Sequence, residues 1–595
     1  MKKITIIDFG GQYTHLISRR IRELSVYAEI IQPVSFQIDK EMGGIILSGG
    51  PKSVDNQDIK IVKNILKNFT KPVLGICYGH QLLAAALGAK LKKTGNREYG
   101  RTEVCLNSNS DLFKGLSAQQ NVWMSHGDNV NELPVNLASI GSTTSNEISA
   151  IASTKQPVFG VQFHPEVSHT DKGSKILDNF LKICKLKRNW KQENFTQKII
   201  TSIKQKVRNR NVFLLLSGGV DSLVTLELCI RALGKDKVHS LHIDTGFMRL
   251  NESEDIIKHL NELNFENIKL INAENIFLSQ LEQVIEPEKK REIIGRLFVE
   301  IADKEMKKLV WDEDWLLAQG TIYPDTIESG GSKAAAKIKT HHNTVEEIEK
   351  LKQQQKVIEP LKYLYKDEVR KVGKELKLPD KLINRQPFPG PGLAIRMICS
   401  PGTITNKNFD KEAAVIQTYL AKFGLKGKVL PVKSVGVQGD FRTYHHPLVI
   451  WFEDNVKADW QIVSTVANAV LNRFKTINRV LLASEQIHKK PELNPLHLEK
   501  QKLDLLRKVD AFIHRETAAL SEIWQMPVVA LPLFRKGKQI FVMRPVTSTD
   551  AMTADFYKMS FDLITKIRNQ LLKKYHVGDL YYDITTKPPG TIEWE

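Results

Sequence analysis

At 595 residues, 42% hydrophobic and 26% charged, the chain is too long for one core and too ordinary in composition for a fibrous or disordered protein; roughly three or four domains of ~150 residues are expected. Lysine and arginine (86) exceed aspartate and glutamate (67), for a net charge of +19. The surplus is spread along the chain without a basic tail or block, which points to anionic small substrates rather than nucleic acid. Five scattered cysteines without metal-ligand spacing fit a reducing cytosol, and no apolar run approaches a signal peptide or a membrane span, so a cytoplasmic protein is expected.

The first domain is expected over positions 1–190. Strands at Ile4–Asp8 and Gly44–Ser48 alternate with a helix around His15–Leu24, which predicts an α/β fold with a mostly parallel sheet. Pro72-Val73-Leu74-Gly75-Ile76-Cys77-Tyr78-Gly79-His80-Gln81 predicts a strand that ends at Cys77 and a helix that starts just after it. Glycines at 75 and 79 permit a tight turn, a nucleophile elbow with sulfur in place of a serine oxygen. A thiol at a helix N-terminus is more readily the reactive thiolate. Downstream, Phe159–Glu166 reads as a strand that delivers His164 and Glu166 to one side, a base for Cys77 and a group to orient its imidazole. Together these motifs resemble the triad of class I glutamine amidotransferases. That resemblance implies a flavodoxin-like domain that hydrolyses glutamine. It gives Gly50 of the Ser48-Gly49-Gly50-Pro51 loop and Tyr78 to the oxyanion site, Gln81 to glutamine, and Ser125–Asp128 to the pocket wall.

The second domain is expected over 191–395, entered through a polar helix at Glu193–Arg208. An apolar strand, Val212–Leu216, runs into Ser217-Gly218-Gly219-Val220-Asp221-Ser222 and then a helical pattern. Strand, glycine turn and helix is the geometry in which backbone N–H groups converge on a phosphate. The Lys-Ser/Thr ending of a Walker A loop is absent. The segment resembles the signature of the ATP pyrophosphatases, whose domains are doubly wound and related to adenine-nucleotide α-hydrolases. The resemblance implies ATP binding by Ser217, Gly218, Gly219, Val220, Asp221 and Ser222, with Asp221 sharing Mg2+. Further strands at His239–Asp244 and Trp315–Gln319 present their polar ends at the same sheet edge. The charged stretch Glu286–Gly295 is read as a lid over the adenylate, and the loop Lys339–Asn343 as facing the nucleotide.

The C-terminal part, 396–595, decides the acceptor. Arg385-Gln386-Pro387-Phe388-Pro389-Gly390-Pro391-Gly392, Val435–Arg442, Asp550–Ala554 and the terminal Lys587-Pro588-Pro589-Gly590-Thr591-Ile592-Glu593-Trp594-Glu595 resemble the GMP synthetases. The resemblance implies amination of XMP through an adenylated intermediate, with glutamine, ATP and XMP as partners. Lys587 would meet the 5′-phosphate and Glu593 the purine or ribose, joined by Tyr323, Asp440 and Gln525. Tyr323 stands where long relatives carry an arginine, which puts one phosphate contact in doubt. Asp440 and Asp550 are 110 positions apart, whereas these elements lie close together in short relatives. Two stretches, Leu430–Trp451 and Met526–Val542, are weakly alike, which predicts an α+β domain with an inserted or duplicated subdomain and a monomer in preference to a homodimer. A glutamine-dependent carboxylate ligase such as NAD synthetase stays open, disfavoured by the terminal segment. So does a tRNA-modifying pyrophosphatase, which the charge would suit but no cysteine pair or RNA-binding module supports. A catalytically dead binding protein is opposed by the intact motifs.

Overall fold

Short apolar runs form the strands, and burial on both faces explains their continuous hydrophobicity. The computed structural model describes all residues except positions 1, 12, 145, 168, 191–194, 264, 309–313, 323–350, 363, 384, 404–409, 439–440, 455, 475, 549–553 and 588. The chain divides into two compact units, Met1–Glu193 and Asn194–Glu595.

In the first unit, β1 (Lys3–Ile7), β2 (Ala28–Ile31), β3 (Met42–Leu47) and β4 (Val73–Ile76) precede a long antiparallel pair, β5 (Lys90–Leu106) and β6 (Gln119–Glu132). Three short strands complete the sheet: β7 (Leu137–Ser142), β8 (Ala150–Ser153) and β9 (Val158–Val161). The spatial order is β2-β1-β3-β4-β9-β8-β7-β5-β6. The part β2-β1-β3-β4-β9 is parallel. Its helices are α1 (Thr14–Glu23), α2 (Asn56–Asn68), α3 (Tyr78–Ala86) and α4 (Gly173–Ile183). The elbow therefore sits at the carboxyl end of a central strand.

The second unit begins with α5 (Phe195–Val207) and a five-stranded parallel sheet. Its members are β10 (Asn211–Leu215), β11 (Val238–Asp244), β12 (Ile268–Asn272), β13 (Trp315–Ala318) and β14 (Val357–Ile358), in the order β12-β11-β10-β13-β14. The order reverses at β10, so a crevice opens at its carboxyl end, beside that of β13. Helices α6 (Val220–Leu233), α7 (Glu252–Glu262), α8 (Glu274–Leu281), α9 (Pro287–Lys308) and α10 (Lys366–Glu375) accompany the sheet.

The remainder repeats one succession twice, helix, strand, strand, helix, strand. The first copy is α11 (Asp410–Ala421), β15 (Leu425–Val429), β16 (Phe441–Phe452), α12 (Trp460–Arg473) and β17 (Ile477–Ala483). The second is α13 (Lys500–Glu516), β18 (Val528–Arg535), β19 (Lys538–Met543), α14 (Phe561–Lys574) and β20 (Asp579–Asp583). In each copy the first two strands are antiparallel and the last two parallel. The last strands of the two copies meet antiparallel, Leu481 opposite Asp583, which relates the copies by an approximate twofold axis. The similar triplets Val449–Trp451 and Ile540–Val542 fall on the second strand of each copy. One hydrophobic cluster runs from Phe213 and Leu241 through Ala394 and Met397 to Phe541 and Tyr582. The expected boundary at 395 thus lies inside a shared core. Among the described residues no helix is long and apolar enough to cross a membrane.

Candidate active site

The elbow is built on backbone strain. Cys77 has φ +53° at the start of α3, a left-handed conformation that a residue with a Cβ adopts only at a cost. The flanking glycines are steric requirements: a Cβ on Gly75 would lie 2.3 Å from the Gly79 carbonyl oxygen, and one on Gly79 would lie 2.3 Å from that of Leu47. Tyr78 opens α3, so its N–H has no partner within the helix. Its ring packs on Gly50, where a Cβ would come within 2.8 Å of Tyr78 Cδ1. A Cβ on Gly49 would meet His164 Cε1 at 3.4 Å and Cys77 Cβ at 3.9 Å, so this loop, the thiol and the imidazole share one small space.

His164 Nδ1 donates to Glu166 Oε1 at 2.7 Å, with both residues buried. Burial alone would discharge the imidazole, but Glu166 and Cys77 outweigh it and push His164 up to about 10. The ring is therefore protonated at neutral pH, ready to donate to a departing amine. The expected strand stops at Val161, and His164 and Glu166 stand in the turn beyond it. Pro165 between them has no N–H for a ladder, and His164 N donates instead to the Trp123 carbonyl at 3.0 Å. Cys77 Sγ lies 3.6 Å from the Ser125 carbonyl oxygen and 3.7 Å from Gln162 Nε2. Gln81 Nε2 reaches the Asp128 carbonyl at 2.7 Å and Gln162 Oε1 at 3.2 Å. Gln162 was not singled out in the sequence.

In the second unit, Ser217–Gly219 links β10 to α6, with φ +76° at Gly218. Ser217 Oγ accepts from Gly219 N at 3.3 Å, and Ser222 Oγ donates to the Gly219 carbonyl at 2.9 Å, so both serines brace the turn. Gly320, after β13, packs on the start of α6; its Cβ would sit 3.1 Å from Ser222 N. One carboxylate oxygen of Asp221 pairs with Lys366 at the start of α10. The other, Oδ1, is buried with no hydrogen-bond partner among the described residues. A carboxylate oxygen held at a phosphate-type helix N-terminus suits a magnesium ligand. No cluster of three or more His, Cys, Asp or Glu positioned for a metal occurs among the described residues.

The Pro/Gly-rich segment is a strap between this loop and the C-terminal tail. Arg385 Nη1 donates to the Gly218 carbonyl at 2.9 Å. The guanidinium groups of Arg249 and Arg396 lie 4.5 and 4.9 Å from the centroid of the Phe388 ring. Gln386 Oε1 accepts from Met526 N at 3.1 Å. At the far end Arg396 grips Glu593 with two hydrogen bonds, 3.0 and 2.9 Å, and Gln525 Nε2 adds a third at 2.9 Å. The tail also pairs with the strand Ser434–Gln438: Val435 N donates to the Trp594 carbonyl at 2.9 Å and Val437 N to that of Pro589 at 2.6 Å. Lys587 is half-buried and its backbone bridges to Ala554. The structure thus brings Gln525 and Glu593 together and sets Lys587 on the same tail. Tyr323, Asp440, the Lys339–Asn343 loop and most of Asp550–Ala554 lie outside the described residues. Glu286–Gly295, expected as a lid, largely falls within α9, and its Lys290 is fully buried.

Three family models match: class-I glutamine amidotransferase over residues 5–184, NAD synthase over 194–300, and the GMP synthase C-terminal domain over 514–594. A Leptospira interrogans protein described as "Probable GMP synthase [glutamine-hydrolyzing]" is 43% identical over 612 residues, covering 100% of this chain and 99% of its own. A GMP synthase [glutamine-hydrolyzing] of Nitratidesulfovibrio vulgaris is 42% identical over 505 residues, 80% of this chain and 96% of its own. Among solved structures, a glutamine amidotransferase from Thermotoga maritima aligns at 22% identity over 33% of this chain and 86% of its own, with a TM-score of 0.25. The match of the C-terminal model sets aside the carboxylate-ligase and tRNA readings.

Proposed function

The chain belongs to the glutamine-hydrolysing GMP synthase family and catalyses the glutamine-dependent conversion of XMP to GMP, and from that premise we propose how its residues divide the reaction. Cys77 attacks the glutamine carboxamide, Gly50 and Tyr78 N–H groups receive the oxyanion, and His164, oriented by Glu166, protonates the departing amide nitrogen so that ammonia leaves a thioester on Cys77, which water then hydrolyses to glutamate and the free thiol. Gln81 contacts glutamine. In the second unit Ser217–Ser222 hold the ATP phosphates at the α6 N-terminus, with Lys366 as a further cation for them. Asp221 would hold Mg2+, which when bound would supply positive charge against the leaving pyrophosphate. Attack of the C2 oxygen of XMP on the α-phosphorus of ATP expels pyrophosphate and leaves the adenylyl group on that oxygen, so that a poor leaving group becomes AMP, which ammonia then displaces. Glu593 and Gln525 read the purine or ribose, and Lys587 meets the 5′-phosphate; Tyr323 and Asp440 complete the contacts in this reading.

One observation carries the division of labour. The cysteine elbow with its His164–Glu166 pair lies in Met1–Glu193, whereas the phosphate loop and the tail lie in Asn194–Glu595. Ammonia is made in one unit and used in the other. The five cysteines are all free, in keeping with a reducing compartment. The repeated succession after residue 410 is read as a duplicated subdomain.

The test is XMP amination with MgATP, run with glutamine and with ammonium. Cys77→Ala is expected to lose glutamine-dependent synthesis and keep the ammonium-dependent rate. Asp221→Ala should lose both by ~100-fold or more, the scale of a removed electrostatic stabiliser. Loss of both activities in Cys77→Ala contradicts the division, and ammonium-dependent synthesis that survives in Asp221→Ala contradicts the magnesium role.

A further inference from the structure

The charged stretch at the start of α9 has a role that the reaction as divided above leaves unused. Lys290 is 0% exposed, and an ammonium group out of water is costly unless several acceptors surround it. Its Nζ donates to Glu595 Oε2 at 2.6 Å, to the Met397 carbonyl at 2.9 Å and to the Ala394 carbonyl at 3.3 Å. The next residue, Arg291, donates to the Glu595 carbonyl oxygen. Glu595 is itself 6% exposed, and burial pushes its carboxyl up to about 7 against the pull of Lys290.

These contacts complete an alternating clamp. Glu593 turns to Arg396 and Glu595 to Lys290, both on the side of the Pro/Gly strap. Trp594, 0% exposed, turns the other way; its Nε1 donates to Asp583 at 2.9 Å and its ring lies 4.9 Å from the Arg479 guanidinium. Arg479 and Arg544 also fix the tail backbone, Arg479 through the Thr591 and Glu593 carbonyls at 3.0 and 2.8 Å and Arg544 through Ile592 at 3.1 Å. Among the described residues, the side-chain anchors that reach Glu595 from the part of the chain ahead of the strap are Lys290 and Arg291, and Lys290 is the one that holds its carboxylate. It also fixes the strap residues Ala394 and Met397 that bracket Arg396.

We propose that Lys290 is a positioning residue for the nucleotide acceptor: by holding Glu595 and the backbone around Arg396, it fixes where the Glu593 carboxylate meets XMP. This rests on the reading of Glu593 as an XMP contact. It replaces the lid with the opposite device, a fixed strut from the ATP-binding part of the chain to the tail that reads the acceptor.

The experiment measures KM for XMP and for ATP, glutaminase activity without nucleotide, and thermal midpoint in the full-length enzyme, for Lys290→Met, Glu595→Gln, the double variant and Glu593→Gln. Lys290→Met and Glu595→Gln are each expected to raise KM for XMP roughly tenfold, the scale of one charge-assisted hydrogen bond, with KM for ATP and glutaminase activity unchanged. The double variant should be no worse than the single ones, as partners in one contact are not additive. A Lys290→Met enzyme with unaltered KM for XMP, or one in which both KM values rise together, overturns the proposal, as does a fully additive double variant. Should Lys290→Met not fold, Glu595→Gln and removal of Glu595 alone decide it by the same criterion. If Glu593→Gln leaves KM for XMP unchanged, it is the underlying site reading that fails.

Discussion

The His164–Glu166 pair makes a titration prediction that is separate from turnover. An ordinary histidine titrates near ~6.5, but Glu166 and Cys77, working against burial, push His164 up to about 10. The folded state therefore binds this proton more tightly than the unfolded chain. The stabilisation is complete below ~6.5 and is lost as pH rises through about 10. Within that window the unfolding free energy of the first unit should fall by up to about 1.4 kcal/mol per pH unit. Glu166→Gln should flatten the profile, since the carboxylate is the larger of the two raising influences. Chemical denaturation of wild type and variant across this range checks it; identical slopes would mean that Glu166 does not hold the proton.

At the level of elements, function depends on how abruptly β4 gives way to α3. Both glycines of the elbow face backbone carbonyls at distances that no methyl tolerates. Gly79→Ala must push α3 away from the Leu47 carbonyl and carry Cys77 with it. A displacement of about 1 Å at a reacting atom costs on the order of 100-fold, so glutamine-dependent GMP formation should drop by that factor while the ammonium-dependent rate stays near wild type. Equal loss of both rates would place the damage in folding rather than in the elbow. The elbow was legible in the sequence because its determinants are local: two glycines four positions apart between an apolar run and a helical one. So was the Ser217–Ser222 loop. The partners that complete these sites were not legible, because the chain brings them from afar: Lys366 is 145 positions from Asp221 and Arg396 is 197 from Glu593. The expected strand through Glu166 failed for a related reason. Alternation of apolar residues continues past Val161, but Pro165 and the tertiary bond from His164 N to Trp123 end the ladder there. The charged start of α9 reads as a lid in the sequence because a buried lysine is recognisable only once its carboxylate, 305 positions away, is in place.

For the whole molecule, the C-terminal sheet bears on oligomeric state. Had the chain only the first copy of the repeated succession, β17 would be the edge of a three-stranded sheet, and all seven of its residues, Ile477–Ala483, are buried. Such an edge offers unpaired N–H and C=O groups and an apolar face, and it would recruit a second molecule. Here β20 of the second copy covers it within the same chain, Leu481 against Asp583 and Ala483 against Tyr581. The edges that remain are blunted. Strand β15 carries Lys426, Gly427 and Lys428, with Lys426 exposed, and the opposite edge is a two-residue strand, Glu492–Leu493. Charged and very short edges are the usual defences against further pairing. The chain is accordingly expected to be a monomer, with a light-scattering mass near 67.6 kDa that does not change with concentration or on addition of XMP and MgATP. A mass of twice that value at micromolar concentration would show that another surface of the molecule, outside this seam, holds two copies together.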